Sequence, residues 1–320
     1  MKKVLVTGAT GFVGSNLITY LGGRGFQPCA AVRRSSSPLS PAVPYFLIGD
    51  LLPDTDWEQA LVGQDVVVHC AARVHIMNDM AVDPLLEFRL VNVDGTLKLA
   101  RQAAEAGIRR FIFISSIKVN GEGTPLGNPY TANDVPVPSD PYGISKFEAE
   151  QGLMAIAAET GMEVTIIRPV LVYGPGVKAN FHSMMTWLAR GVPLPFGAIN
   201  NKRSMVALEN LLHLIMTCIE HPFAANQVFL VSDGEDLSTT ELLQRMARAL
   251  GKKARLLPIP SFLLTTLARL VGKSGVAQRL CGSLQVDIDK TKSLLNWSPP
   301  VSVDHAMSRT ARHFLEQRKS

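Results

Sequence analysis

The chain has 320 residues, with 32 Lys or Arg against 27 Asp or Glu, a net charge of +5. Hydrophobic residues make up 47% and charged residues only 18%, which excludes a disordered polymer, because this much apolar surface can offset chain entropy when buried. The basic excess is scattered in short pairs (Lys2-Lys3, Arg33-Arg34, Arg109-Arg110, Lys252-Lys253) and builds no stripe able to track many phosphates, so no nucleic-acid partner is expected.

The start of the chain, Lys2-Lys3 before an apolar stretch, imitates a signal peptide. Glycines at 8, 11 and 14 interrupt it and no small-residue cleavage site follows, so that reading is rejected. Residues 3–7 read as a strand, 12–21 as a helix and 29–32 as a second strand. Strands at 45–48, 66–69, 111–115 and 164–167 continue the series, separated by helical stretches at 57–62, 88–106 and from Tyr142 onward. Nearly continuous apolar strands between helices imply an α/β fold, a doubly wound parallel sheet covered on both faces.

Past Arg168-Pro169 the rhythm changes. Gly and Pro crowd 174–197, followed by a helix at 210–220, a strand at 228–231 and a helix opening on Ser238-Thr239-Thr240-Glu241. That tetrad is a capping box, in which Ser and Glu satisfy each other's orphan amides. The expected organisation is a dinucleotide-binding sheet over 1–169, with a return strand near 228–231, and a smaller substrate-binding lobe over 170–320. The Gly/Pro-rich stretch 121–141 reads as a long loop over the cleft between them. Apolar residues 262–271 are too few to cross a bilayer and are expected as a buried helix, with a membrane-surface helix as the alternative. No integral membrane segment is expected. Cys29, Cys70, Cys218 and Cys281 have no metal or disulfide spacing, so free thiols in a reducing, cytoplasmic setting are the simpler reading.

Gly8, Gly11 and Gly14 join the first strand to the first helix. Glycine there permits the turn, lets a pyrophosphate approach the backbone, and allows close helix–strand packing, while the helix N-terminus offers unpaired N–H groups. With Phe12 and Val13 they form the expected cofactor loop. The second strand ends in Arg33-Arg34 with no acid. A carboxylate in that region would hold the ribose hydroxyl of NAD, whereas guanidiniums match a 2′-phosphate. NADP(H) is therefore predicted over NAD(H), which stays open, as does the reading of both arginines as solvated surface. Asp50 and Leu51, after the third strand, are expected near the adenine.

Tyr142 and Lys146 stand at i and i+4, on one face of a helix. An unperturbed phenol with a pKa near ~10 is a poor acid–base at neutral pH, and a nearby ammonium is expected to bring it down. Ser115-Ser116 falls at the C-terminal end of a parallel strand, the edge where ligands bind in such sheets. Glycine turn, strand-end serine and YxxxK in that order resemble the extended short-chain dehydrogenase/reductases, the epimerase/dehydratase group acting on nucleotide sugars. Supporting motifs are His69-Cys70-Ala71-Ala72, Asn92-Val93-Asp94-Gly95-Thr96, Arg168-Pro169 and Tyr173-Gly174-Pro175-Gly176.

The resemblance implies a Rossmann-type fold with Ser116, Tyr142 and Lys146 as the catalytic set. It also implies Ala71, Ala72, Asn92 and Pro169 along the cofactor and Lys118, Asn180 and Arg203 on the substrate, the last two at the diphosphate of a UDP-sugar. Asn210 stands where many relatives have aspartate. Ile117-Lys118 replaces the Asp-Glu pair of dehydratases, so dehydration lacks its acid and base. The overall likeness, with Arg73-Val74-His75 and 115–121, favours reduction of the 4-keto group of a UDP-4-keto-6-deoxy-N-acetylhexosamine in surface polysaccharide (O-antigen) biosynthesis. A UDP-hexose 4-epimerase is the alternative, and a non-catalytic dinucleotide-sensing regulator the remote one. A homodimer through the 88–106 and 142–160 helices is expected, with burial of the Leu90, Val93, Leu97 and Ala100 stripe within the monomer as the competing reading. His69 is read as a core histidine, His75 and His182 as loop residues near the cleft, and His213 and Cys218 as packing; Phe181 and Trp187 could flank a uracil or fill the smaller lobe.

Overall fold

Val4, Leu5 and Val6 are fully buried in β1 (Lys3–Thr7), and Val66, Val67 and Val68 are buried in β4 (Val66–His69). Side chains alternate across a strand, so runs without polar residues require cover on both faces, and a computed structural model of the chain has that architecture. It describes residues 1–34, 40, 42–74, 83–270, 272 and 274–318. Ser35, His75 and Val271 lie outside the described residues.

Seven parallel strands form the main sheet, in the order β3-β2-β1-β4-β5-β6-β9. The remaining members are β2 (Gln27–Val32), β3 (Tyr45–Leu47), β5 (Arg110–Ile114), β6 (Glu163–Pro169) and β9 (Gln227–Val231). On one face lie α1 (Phe12–Gly22) and α7 (Leu208–Glu220), where Leu17, Leu21, Leu211 and Ile215 meet Val4, Val6 and Val68. On the other lie α2 (Glu58–Leu61), α3 (Pro84–Arg89), α4 (Thr96–Glu105) and α5 (Pro141–Thr160), where Leu99, Leu153 and Ile156 meet Leu5, Val67 and Phe111. The order reverses between β1 and β4, and ligands bind outside the carboxyl ends of strands at such a point.

A second sheet joins β7 (Leu171–Tyr173), β8 (Arg203–Ala207) and β10 (Asp236–Leu237). With α6 (Ala179–Ala189), α8 (Thr239–Ala249) and α12 (Val303–Gln317) it encloses a core of its own around Tyr173, Phe181, Met246 and Phe314. The capping box forms at Ser238 and Glu241. The elements α9 (Ser261–Leu270), α10 (Ser274–Cys281) and α11 (Asp289–Leu295) complete the chain.

Three expectations need correction. The helix expected at 88–106 begins at Pro84 behind an Asp83 cap, and a π-helical turn, Leu90–Gly95, interrupts it. A π turn inserts a residue and re-aims its side chains; here Asn92 turns inward and is buried. The Gly/Pro-rich stretch 174–197 contains α6, because its breakers flank the helix without entering it. Residues expected as a buried helix form α9, none of whose residues is buried. Its apolar side chains face outward at helical spacing instead of into either core. Among the described residues, no helix is long and apolar enough to cross a membrane.

Candidate active site

The carboxyl edge of the main sheet gathers the sequence-predicted residues. After β1 comes the turn 8–14; after β2, Arg33 and Arg34; after β3, Asp50 and Leu51; after β4, Ala71 and Ala72; after β5, Ser115 and Ser116. Gly8 has φ +64°, and a Cβ on it would lie 2.7 Å from the Ala71 nitrogen. A Cβ on Gly14 would lie 2.3 Å from the Gly8 carbonyl oxygen. Both positions require glycine on steric grounds.

At the start of α1, Gly11 supplies no capping side chain and the first turn carries no acid. Its N–H groups and positive dipole end are thereby open to an anion. This combination fits the pyrophosphate of a dinucleotide held by Gly8, Gly11, Phe12, Val13 and Gly14. Bound there, a nicotinamide cofactor supplies a hydride acceptor and donor.

Asp140 caps α5, its Oδ1 accepting from the Gly143 N–H at 2.6 Å, and Pro141 occupies the first turn. This start places Tyr142 and Lys146 one turn apart on the face toward β5. Ser116 follows β5 in extended conformation and caps a short 3₁₀ turn, Ile117–Val119. Its Oγ accepts from the Lys118 N–H at 3.3 Å, and its hydroxyl acts on the neighbouring Tyr142 phenol. Ser115 instead donates inward to Glu150. Of two adjacent serines, alternation along the strand sends one into the core and the other to the site.

Burial dominates the acid–base character. Tyr142 is pushed up to about 12, first by desolvation and then by the Asp140 carboxylate, while the Ser116 hydroxyl opposes both. Lys146 is pushed down to about 7 by burial, with Glu150 and Cys70 pulling it back up. The sequence reading expects an ammonium to lower the phenol; here burial and Asp140 dominate and the phenol stands above its ordinary value. Its Nζ lies 3.8 Å from the centroid of the Phe113 ring.

Asn92, expected along the cofactor, uses its amide within the protein. Its Oδ1 accepts from the Arg73 N–H at 2.8 Å, and its Nδ2 donates to the Arg73 carbonyl and to Ser145 Oγ, each at 3.0 Å. Ser145 donates in turn to the Tyr142 carbonyl at 2.8 Å, so Asn92 links the loop after β4 to the first turn of α5. His69 is buried between Thr7 (2.7 Å) and Thr96 (3.0 Å), tying β1 and α4 through β4. Burial pushes its pKa down to about 3.

Arg33 pairs with Asp50 at 3.4 Å, with their side chains 71% and 69% exposed. Leu51 is buried and Pro169 ends β6 inside the fold. Lys118 lies against Asp140, the carboxylate that caps α5, and, at 3.3 Å, Glu122. Asn180 is exposed in the first turn of α6. Arg203, at the start of β8, donates to the Gly282 carbonyl at 3.1 Å and feels the neighbouring Arg279 charge.

A cavity of about 810 Å³ runs along the loop 121–139, lined by Asn120, Tyr130, Ser139, Gln278, Gly282 and Ser283. The last three residues and Arg279 escaped the sequence reading. They arrive by backbone pairing of distant segments, Thr124 N–H to Ser283 O and Tyr130 N–H to Gln285 O, each 2.9 Å, and no local motif announces them. Phe181 is core, stacked on Tyr173 at 5.3 Å; Trp187 is 41% exposed on α6. His182 lies on α6 and not in a loop, edge-on to Phe314. His213 accepts from the Trp297 indole N–H at 2.9 Å.

Residues 4–232 match the model of the NAD dependent epimerase/dehydratase family. A Vibrio cholerae protein named UDP-glucose 4-epimerase is 50% identical over 317 residues, covering 98% of this chain and 96% of its own. An Escherichia coli O157:H7 protein named N-acetyl-alpha-D-glucosaminyl-diphospho-ditrans,octacis-undecaprenol 4-epimerase is 28% identical over 99% of this chain and 97% of its own. The crystal structure of UDP-N-acetylglucosamine 4-epimerase from Bacillus cereus superposes with a TM-score of 0.81 at 22% identity, covering 99% of this chain and 100% of that one. Turn, strand-end serine and helix-borne Tyr–Lys pair lie on one sheet edge, and the match spans well over half of the sequence: the chain belongs to the NAD dependent epimerase/dehydratase family.

Proposed function

We propose that the chain is a 4-epimerase of UDP-hexoses or UDP-N-acetylhexosamines that keeps a nicotinamide dinucleotide as its cofactor. The observation that carries this reading is the 50% identity, over 98% of the chain, to the Vibrio cholerae protein named UDP-glucose 4-epimerase. In this reading residues 1–169 and β9 hold the dinucleotide, and most of 170–320 holds the sugar nucleotide. Ser116 and Tyr142 bracket the sugar's 4-oxygen. Tyr142 takes the hydroxyl proton as that carbon is oxidised and returns it as the carbon is reduced from the opposite face; Ser116 donates to the carbonyl between the two steps. Lys146 holds the ribose side of the site. Arg203 and Asn180 take the diphosphate. Asn92, through Ser145, positions the turn that carries Tyr142. We also retain a homodimer through the 88–106 and 142–160 helices, supported by Leu90 at 37% exposure, while Ala100 and Leu97 of the same stripe pack within the monomer core.

Reduction of a UDP-4-keto-6-deoxy-N-acetylhexosamine is a second reading, favoured by Arg33-Arg34 following β2, where the strand end itself carries no acid for a ribose diol. The two readings separate in one experiment. Purified protein is incubated with UDP-glucose or UDP-N-acetylglucosamine and no added cofactor, and the products are resolved by chromatography. Conversion to the 4-epimer is expected. Absence of conversion, with NADPH consumed on a 4-keto sugar nucleotide, would replace the epimerase by the reductase.

A further inference from the structure

We propose that α9 is a docking face for an anionic membrane surface. Phe262, Leu263, Leu267 and Leu270 are 64%, 49%, 61% and 80% exposed. Leu263, Leu267 and Leu270 fall at i, i+4 and i+7, one stripe along the helix. Leu264, Thr265 and Ala268 are the half-buried residues on its other side. Leu257, just before the helix, adds a further apolar side chain at 50% exposure. Contiguous outward apolar surface of this kind marks an interaction site.

The charge around it selects the partner. From Lys252 to Val286, the segment that holds α9 and α10, the sequence carries six Lys or Arg and no Asp or Glu. The chain's whole net charge is +5, so this segment holds more positive charge than the molecule's net excess. Arg255, Arg269 and Arg279 are exposed on or beside the α9–α10 pair. A short helix with Phe and Leu outward and Arg or Lys around it lies in the plane of a headgroup layer. Anionic headgroups add attraction for each basic side chain within a Debye length. A second copy of this chain fits less well. A two-fold contact sets the same patch against itself, and a patch without acids would then oppose cation to cation.

The docking face adjoins the cavity. Gln278, on α10, and Gly282 and Ser283, just after it, line that cavity, and Asn201 Nδ2 and Arg203 Nη1 bond the Gly282 carbonyl at 2.8 and 3.1 Å. A protein seated on α9 would hold this cavity close to the bilayer.

The test is co-sedimentation of the full-length protein with vesicles of phosphatidylcholine alone and of phosphatidylcholine mixed with phosphatidylglycerol. Partition onto the mixed vesicles is expected to exceed that onto neutral vesicles by about tenfold or more and to fall as salt is raised. Leu267→Glu and Arg269→Glu, both at exposed positions, are each expected to reduce it severalfold while turnover of a soluble sugar nucleotide and the unfolding midpoint stay unchanged. Equal partition onto both vesicle types, or binding unaffected by either variant, overturns the proposal. So does a self-association equilibrium that Leu267→Glu abolishes without a change in vesicle binding, since α9 would then serve a second copy.

Discussion

Arg168, near the end of β6, places its guanidinium 2.5 Å from the Glu150 carboxylate on α5, with each side chain only 4% exposed. Glu150 also accepts from the Ser115 hydroxyl, and Arg168 donates to Asn120 Oδ1 at 2.9 Å. This cluster clamps the helix bearing Tyr142 and Lys146 to the ends of β5 and β6. Glu150→Gln leaves a buried guanidinium without its counter-charge, and a loss of about 3–5 kcal/mol is expected, measured by urea unfolding. The same change removes a carboxylate that supports the Lys146 charge, so the Lys146 ammonium should titrate at still lower pH, read from the pH profile of turnover.

Tyr142→Phe is expected to lower turnover by about 10²–10⁴-fold with little change in stability, because the change removes one hydroxyl near the half-exposed Ser116 and keeps the ring. The measurement is steady-state turnover of the sugar nucleotide beside a thermal melt. Turnover within a few-fold of the parent would assign the proton transfer to another group.

Stability should depend on pH through two buried bases. His69 has a folded pKa near 3 against an ordinary 6.5. As pH falls below 6.5 the unfolded imidazole gains a proton that the folded one refuses, so stability drops between pH 6.5 and about 3. His69→Gln, which keeps hydrogen bonds available to Thr7 and Thr96, should flatten that limb, checked by urea unfolding at successive pH values. Lys146 has a folded pKa near 7 against 10.5. The unfolded amine holds its proton between those values and the folded one releases it, so the burden of the buried charge is greatest below pH 7 and fades towards pH 10.5. Lys146→Met should therefore be more stable than the parent at acid pH, with the gain shrinking as pH rises.

Gly8→Ala should cost about 1–3 kcal/mol from backbone strain alone, because its φ is +64° and the added Cβ meets the Ala71 backbone at 2.7 Å. Dinucleotide affinity is expected to fall with it, measured by calorimetric titration of NAD into the folded variant. Unchanged affinity would remove the turn from the cofactor site.

Arg33→Ala should change stability by less than about 0.5 kcal/mol, as an exposed ion pair contributes little, and the Arg33–Asp50 pair is more than two-thirds solvated. Its effect should appear in cofactor choice, as a rise in the Kd for NADP with that for NAD held. Equal constants in parent and variant would leave Arg33 as solvated surface.

Most of the main sheet was legible in the chain. The mostly apolar runs at 3–7, 66–69 and 164–167 become buried strands of one sheet, because parallel strands covered on both faces carry few polar positions to obscure the pattern. Gly8, Ser116, Tyr142 and Lys146 were legible for a related reason: a strand end, a sterically required glycine and an i,i+4 pair are local relations. The cavity wall was not, since Tyr130 meets Gln285 only through a backbone bridge between segments 155 residues apart in number. Nor was the acidity of the site. Spacing placed an ammonium one turn from a phenol, but burial decides both pKa values, and burial belongs to the packed whole. Periodicity likewise showed that 262–271 is an apolar helix, whereas only the packing of α9 decided which way its leucines face. Composition and local pattern determined the fold class and the spacing of the candidate trio Ser116, Tyr142 and Lys146; desolvation, long-range pairing and the direction of an exposed face were fixed only by the tertiary structure, because each depends on what stands across from a residue and not on what stands beside it in the chain.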